Sequence, residues 1–316
     1  MPWQPIAVAL TTLSLALPAT VPAGAAASPT RLLRAGHVSA HTNAALAGPP
    51  GAPPGVCPTG ASYGPPLPAT SVTAANIRGG FSFLEGPVWL ADRGYLLVSD
   101  MGAATGPERV QPSTIRRFTP PATFDTFLAN SGSNGLALSP DGQQLVAATH
   151  DQRSVSSYRI DDLARGVIAS GYQGRAFNSP NDVAVRSDGV GYFTDPNFQR
   201  GGRPDQMGGR TSVFRVSGGQ VSLVDDALRQ PNGIALSPDG ATIDCAGNVY
   251  WASGSDGLVH VYSPTGTQLG TIRSGSSGTT NVAFGGSDRR TLYVTSGPTN
   301  DSGLYSVRLN VPGYPY

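Results

Sequence analysis

A unit that returns every 47 to 51 residues between residues 85 and 296 restricts the folds open to this chain more than any other feature. Each unit opens on a polar residue, continues as a short apolar strand, turns at a glycine and returns as a second apolar strand. The first is Glu85-Gly-Pro-Val-Trp-Leu-Ala-Asp-Arg-Gly94 before YLLVSD, and the second is Asn134-Gly-Leu-Ala-Leu-Ser-Pro-Asp-Gly142 before QQLVAAT. Asn181-Asp-Val-Ala-Val-Arg-Ser-Asp-Gly189 before VGYFTD, Asn232-Gly-Ile-Ala-Leu-Ser-Pro-Asp-Gly240, and Asn281-Val-Ala-Phe-Gly-Gly-Ser-Asp before RRTLYVTS complete the set. The lead residues 85, 134, 181, 232 and 281 are 49, 47, 51 and 49 apart. Pro-Asp-Gly and Ser-Asp-Gly supply the positive φ of a tight hairpin turn. TSVFRVSG and GLVHVYSPTG, between the hairpins, alternate as further strands. Roughly four strands per 40–50 residues is the arithmetic of a propeller blade; a parallel β-helix has shorter repeats and a sandwich no fixed period. The expected fold is all-β, a β-propeller of four-stranded blades over residues 71–316.

Composition agrees with short strands and tight turns: 41 glycines and 28 prolines in 316 residues, with only 13% charged residues. A net charge of +1 without basic clusters argues against nucleic acid or an anionic membrane surface as partner. Residues 1–27 read as a secretory signal peptide. The apolar run Ile6 to Leu17 is too short to span a bilayer, and Ala23-Gly24-Ala25 fits the cleavage pattern, although no Lys or Arg precedes the run. Cleavage near Ala25–Ala27 gives a secreted, extracellular chain with no membrane contact, expected to be monomeric. Residues 28–70 form a Pro/Gly/Ala-rich extension. Cys57 in that extension and Cys245 in the repeats either bridge, tying the extension to the propeller, or remain a separate thiol and a buried one.

In a propeller the innermost strand of each blade starts at the central channel, so Glu85, Asn134, Asn181 and Asn232 should face one axis. A single Asn there is more simply a turn cap. Four lead residues in phase, one a carboxylate, favour a shared site. Carboxylate and amide oxygens are hard ligands suited to Ca²⁺ or Mg²⁺, and four His with two Cys give little basis for a dedicated zinc site. Asp195 ends the second strand of its blade, where it either approaches the channel mouth as a catalytic carboxylate or serves as a turn residue before Pro196. His150 occupies the same place one blade earlier, a substrate contact or a structural histidine. Arg153, Arg186 and Arg203 read as surface or blade-edge charges, and the Gly-rich stretch 197–210 as a loop over the channel. No Gly-x-Ser-x-Gly elbow, P-loop or dinucleotide fingerprint is present.

FLEGPVW (83–89), FNSPNDVAVRSDGVGYFTDPNF (177–198), QPNGIALSPDG (230–240), GNVYWASGSDGLVHVYSPTGTQLGTI (247–272) and TTNVAFGGSDRRTLYVTS (279–296) occur in the order of a known family. Over residues 75–310 the chain resembles the regucalcin/gluconolactonase family, also called the senescence-marker-protein family, and its diisopropyl fluorophosphatase relatives. The resemblance implies a six-bladed propeller with a divalent cation in the channel, Ca²⁺ first and Mg²⁺, Mn²⁺ or Zn²⁺ as alternatives. It also implies hydrolysis of a small-molecule lactone or ester. The alternatives are an organophosphate or aryl-ester hydrolase on the same site, and a secreted binding module without catalysis. Residue by residue, Glu85 matches the family's metal-binding glutamate, Asn181 the asparagine reaching the metal directly or through water, and Asn232 a further metal-binding asparagine. The fourth ligand, an aspartate in a Pro-Asp-Gly motif, matches only Asp239, the expected catalytic base, with Asp195 as substitute. Asn134 and His150 are the remaining candidates, for substrate contact.

One departure stands out. In the family the two motifs lie about a blade apart, whereas Asn232 and Asp239 are separated by seven residues. About one blade is missing: five units stand where the family has six. Ser237-Pro-Asp-Gly240 is then either the hairpin turn after the Asn232 strand or the metal-site motif of the next blade. Seven residues of one extended strand span about 20 Å, so such a strand cannot bring both residues to one ion. Either the ring closes with five blades and loses a ligand, or the sixth position stays open.

Overall fold

The computed structural model describes residues 8–11, 57–58, 60–235, 242–298 and 300–314. Three strands precede the repeats: β1 (Val8–Thr11), β2 (Ser71–Thr73) and β3 (Ala75–Gly79). The first sheet is β4 (Leu84–Leu90), β5 (Tyr95–Met101), β6 (Ser113–Thr119) and β7 (Thr123–Leu128), in that spatial order. The second is β8 (Ser133–Leu138), β9 (Gln144–Thr149), β10 (Ser154–Arg159) and β11 (Arg165–Ala169). A small hairpin, β12 (Gly171–Tyr172) and β13 (Arg175–Ala176), leads to the third sheet: β14 (Val183–Val185), β15 (Gly191–Asp195), β16 (Ser212–Ser217) and β17 (Gln220–Asp225). A lone strand follows, β18 (Pro231–Ala235). Next come β19 (Val249–Ser253), β20 (Leu258–Tyr262) and β21 (Gln268–Arg273), and last β22 (Thr279–Gly285), β23 (Thr291–Ser296) and β24 (Gly303–Arg308).

These are five four-stranded propeller sheets, because the N-terminal strands complete the last two. β2 adds in parallel to β21 (Ser71↔Thr271), and β3 adds antiparallel to β24 (Gly303↔Gly79). The shortfall expected from the sequence therefore has a location. Among the described residues, β18, the inner strand that carries Asn232, is the one strand between the third and fourth sheets, and β1 pairs along it (Val8↔Ala235, Ala9↔Ile234). Apart from β1, the expected signal peptide lies outside the described residues, as do residues 28–56 of the extension.

Alternation places one apolar row of each sheet against the next. Phe177, Phe193 and Phe214 meet at centroid distances of 5.0–5.5 Å in the cluster joining the second and third sheets. The ring closes where Trp89 of the first sheet stacks on Tyr293 of the last at 5.7 Å. Gly285 leaves that space, since a Cβ there would lie 2.7 Å from the Trp89 ring. Beside β18 the packing is thinner: its cluster holds only Val190, Tyr192, Val213 and Ile234 as buried members, against ten between the second and third sheets. The cysteines do bridge. Cys57 and Cys245 are joined with their Cα atoms 5.3 Å apart. Beyond the bridge the extension continues into the fold, with Leu67 buried against the last two sheets and Asn310 donating to the Pro65 carbonyl.

Candidate functional site

The hairpin turns fix the register of the inner strands. Gly142 closes its turn on the Ser139 carbonyl, Gly189 on Arg186 and Gly94 on Leu90, each at 2.8 Å. Counting back five residues from each turn start reaches Asn134, Asn181 and Glu85. In the fourth sheet Gly247 closes on Asp244 at 2.9 Å, and Thr242–Asp244 pairs with the outer side of β19's start through Tyr250 N to Thr242 O (3.0 Å) and Asp244 N to Asn248 O (3.1 Å). The same count back from Asp244 reaches Asp239. That residue lies outside the described residues, so the register comes from the turn that follows it. β18 is described only as far as Ala235, so no single extended strand from Asn232 to Asp239 is shown.

In the last unit the turn and the strand pairing differ by one residue. Its turn, Arg289 N to Gly286 O at 3.0 Å, counts back to Asn281, the expected lead residue. Pairing at the strand head instead matches Asn281 to Asp182: Val282 pairs with Val294 as Val183 does with Phe193, Asp182 Oδ1 accepts the Val183 amide (2.9 Å) and Asn281 Oδ1 accepts the Val282 amide (2.7 Å). By that pairing Thr280 takes the place of the lead residue, its hydroxyl donating to the Leu84 carbonyl (2.6 Å).

Pairing is irregular at the head of the inner strands, between Glu85 and Val88, Ser133 and Leu136, and Thr279 and Asn281. A bulge there breaks strict alternation, so two successive residues can turn toward the axis. The position after the lead residue is Gly86, Gly135, Asp182, Gly233 and Asn281 in successive units. Gly135 makes room for Asp182, since a Cβ there would lie 2.0 Å from its Oδ1, while a Cβ on Gly233 would stand in ordinary contact 3.8 Å from its Oδ2. Asp182 Oδ2 also accepts the Ile234 amide of β18 (2.9 Å), which ties the lone strand to the third sheet.

Glu85 and Asp182, both buried, therefore meet at the axis with Asn281 beside them. Burial pushes the Glu85 carboxyl up to about 8, the nearby Asp182 charge adds to the rise, and the Gly86 amide and Asn281 side chain oppose it. Burial likewise pushes Asp182 up to about 6 against the Ile234, Val183 and Asn281 donors. Since Asn281 Oδ1 is turned to Val282, its Nδ2 is the group that meets the carboxyls. Asn134 is 1% exposed, its Nδ2 has no hydrogen-bond partner, and its carbonyl accepts Ser99 Oγ at 2.7 Å. Asn181 is 2% exposed, its carbonyl accepts the Gly135 amide at 2.7 Å, and its Nδ2 faces Gln199 Oε1 at 3.4 Å. Asn232, half-buried, has its carbonyl held by Thr194 Oγ1 at 2.6 Å. Hydroxyls of Ser99, Thr194 and Thr280 thus latch each inner strand to a neighbour, a role sequence reading missed, as it missed Asp182. The signal for Asp182 was its place in a column otherwise filled mainly by glycine.

Asp195 and His150 lie behind this centre. Asp195 is fully buried, and its two oxygens accept the Asn178 and Ser179 amides, each at 2.8 Å. Desolvation pushes its carboxyl up to about 7 against those two donors and Arg153. His150 is also fully buried, with Nε2 on the Gln111 carbonyl at 2.9 Å, and burial holds its pKa down at about 4. The loop over residues 197–210 packs here: Arg203 donates to the carbonyls of His150 (2.9 Å) and Asp151 (2.6 Å), and Gly202 to Glu108 (2.8 Å). Arg153 and Arg203 are buried and bind backbone carbonyls, unlike the surface charges expected.

The residues gathered at the axis fit a hard divalent cation. Burial raises both carboxyls, the Asp182 charge raises Glu85 further, the Asn281 amide meets both, and the buried Asn134 amide has an unpartnered nitrogen that rotation would exchange for an oxygen. Among the described residues no three His, Cys, Asp or Glu converge, so amide oxygens would have to complete any coordination.

Known proteins show the same architecture. The family model of the SMP-30/gluconolactonase/LRE-like region matches residues 83–241 and 236–298, two stretches overlapping where the repeat is short. A gluconolactonase of Zymomonas mobilis is 34% identical over 175 residues, covering 49% of this chain and 46% of that protein, so the chain spans about half of that relative. A pentonolactonase of Haloferax volcanii is 38% identical over 248 residues, covering 67% of this chain and 80% of that protein. Among solved structures, a gluconolactonase from Xanthomonas campestris superposes with a TM-score of 0.61 at 23% identity, over 80% of this chain and 99% of that one. A calcium-binding regucalcin from Agrobacterium tumefaciens gives 0.58 at 15%, over 78% and 100%, a likeness of fold. With its repeat, its inner-strand register and a family match running from residue 83 to 298, the chain belongs to the SMP-30/gluconolactonase/LRE-like family.

Proposed function

We propose that the protein is a secreted, metal-dependent lactone hydrolase, with Ca²⁺ held at the axis by Glu85, Asp182 and the amide oxygens of Asn181 and Asn232. Asp239, the family-matched aspartate of the sequence, is the candidate for a further ligand. The observation that carries this reading is the convergence of Glu85 and Asp182 beside Asn281. When bound, the cation supplies Lewis-acid polarisation of the lactone carbonyl and charge stabilisation of the oxyanion. Glu85, the more deeply perturbed carboxyl, is the anionic anchor. Asp182, beside Glu85 and the Asn281 amide, is the candidate base. It takes the proton of the water that attacks the carbonyl carbon, then returns it to the ring oxygen as the ring C–O bond breaks, leaving the hydroxy acid. Asp239 is the competing base. The Cys57–Cys245 bridge supports export to an oxidising compartment.

The test is hydrolysis of glucono-δ-lactone and a lactone panel, with chelator and with Ca²⁺ restored. Turnover should require the ion, and Glu85→Gln should lose about 100-fold or more, the scale of a removed electrostatic group. Asp182→Asn and Asp239→Asn identify the base by which of them abolishes kcat at saturating Ca²⁺. Turnover that survives the chelator sinks the proposal. Tight Ca²⁺ binding with no turnover of any lactone or ester points instead to the binding module.

A further inference from the structure

We infer that Asp195 is a positioning residue: its carboxylate clamps the loop that delivers Asn181 and Asp182 to the axis, and it does not act on substrate. Its two oxygens accept Asn178 N and Ser179 N at 2.8 Å each, the side chain is fully buried, and the groups acting on it are that loop and Arg153, whereas Asp182, whose oxygens also accept two amides, meets Glu85 and Asn281 at the axis. The loop is bolted at further points. Asn178 Nδ2 donates to the Arg210 carbonyl (2.7 Å), Ser179 Oγ to the Pro196 carbonyl (2.7 Å), and Gln199 N to Ser179 Oγ (3.2 Å). On the other side Asn181 N reaches the Thr194 carbonyl at 2.9 Å, so the residue before Asp195 holds the lead residue itself.

The first sheet repeats the device. Asp100, the penultimate residue of β5, stands where Asp195 ends β15, and its Oδ1 accepts the Ser82 amide at 3.1 Å, three residues before Glu85 as Asn178 is three before Asn181. In the second sheet His150 fills this position, bonds the Gln111 carbonyl instead, and no carboxylate fastens that loop. The two inner strands entered through an aspartate clamp are the two that bring a carboxylate to the axis, Glu85 and Asp182. A carboxylate accepting two amides fixes a loop through charge-assisted bonds, and removing such an outer partner of a metal-binding group lowers metal affinity by roughly 10–100-fold.

This inference rests on the cation-site reading for its functional arm, and its structural arm stands alone. The experiment compares wild type, Asp195→Asn, Asp195→Ala and Asp244→Asn. Asp244 is a buried carboxylate accepting the Ala246 and Asn248 amides at a hairpin turn away from the axis, so its variant reports generic loss of a buried acceptor. Amide hydrogen exchange of peptides covering 177–183, calorimetric Ca²⁺ titration and lactone hydrolysis are measured on each. Asp195→Asn should speed exchange of the 178–182 amides by about tenfold or more and weaken Ca²⁺ binding by about 10–100-fold. Its kcat should return to within about threefold of wild type at saturating Ca²⁺, with Asp195→Ala worse on each count. Asp244→Asn should lower melting temperature while leaving exchange of the 178–182 amides alone. Unchanged exchange at 178–182 in a folded Asp195→Asn overturns the inference, as does unchanged Ca²⁺ affinity with kcat abolished, the signature of direct proton transfer. Should the wild type neither bind Ca²⁺ nor open lactones, the function falls and the exchange data still decide the clamp.

Discussion

At the scale of single residues, the axis is built on the absence of side chains as much as on their presence. Asp182 reaches its place because Gly135 faces it from the neighbouring strand. Gly135→Ala would put a methyl 2.0 Å from Asp182 Oδ1 and 2.6 Å from its Cα, a clash with backbone that no rotamer relieves. Overpacking of this kind costs roughly 1–3 kcal/mol. The expected outcome is a urea midpoint lowered accordingly and Ca²⁺ affinity reduced about tenfold or more, the scale of losing a support of the site. Gly142→Ala is the comparison, because its φ of +68° strains an alanine while nothing lies within 4 Å of the new methyl. It should lose about 1–2 kcal/mol through backbone strain alone and keep its Ca²⁺ affinity. Equal Ca²⁺ affinity in both variants and the wild type would remove Asp182 from the site.

At the scale of elements, the 47–51 residue period and the hairpin turns made the strands legible, since alternation and Pro-Asp-Gly chemistry act locally. What alternation hides is the bulge at the head of the inner strands, and with it Asp182 and the register of Asn281. The loops were least legible, because their partners are backbone carbonyls far along the chain. His150 shows this: its environment comes from Gln111 and from Arg203 in a loop 53 residues on. A histidine with a folded pKa of about 4 against 6.5 unfolded lends stability that is fully present above pH 6.5 and lost as pH falls toward 4. At about 1.4 kcal/mol per pH unit over the 2.5 units between 6.5 and 4, this comes to about 3.5 kcal/mol. Asp195 works in the opposite sense: raised to about 7, it lends stability present below its unfolded value and lost as pH rises through 7. The total pH profile therefore mixes signs, and the histidine is read as a difference. Relative to wild type, His150→Gln, which keeps a donor and cannot titrate, should gain melting temperature steadily from pH 6.5 to pH 4. A constant offset across that range would show that His150 is not the group being protonated.

At the scale of the whole molecule, the question is how a propeller holds together with one blade reduced to β18. Ordinary blades are held on both faces by neighbouring sheets, while β18 contributes one buried apolar residue, Ile234, to its cluster. Closure falls to the N-terminal segment, which supplies β2 and β3 to the two sheets beyond the gap, and to the Cys57–Cys245 bridge, which fastens the start of that segment four residues before β19. The bridge spans 188 residues of sequence, so it removes a large loop-closure entropy from the unfolded chain. The chain-entropy relation gives about 5 kcal/mol for a loop of that size, and measured bridges usually give 2–4. For a domain of this length that corresponds to a fall of very roughly 10 °C in melting temperature when the bridge is opened. Cys57→Ser, Cys245→Ser and the reduced wild type should all melt lower by a similar amount, and the double variant should melt no lower than either single one. Faster exchange should appear first in β19 and β2, the strands that follow the two cysteines in sequence. A reduced protein that melts where the oxidised one does would mean that β2 and β3 close the ring unaided, and that the bridge follows from export without holding the fold.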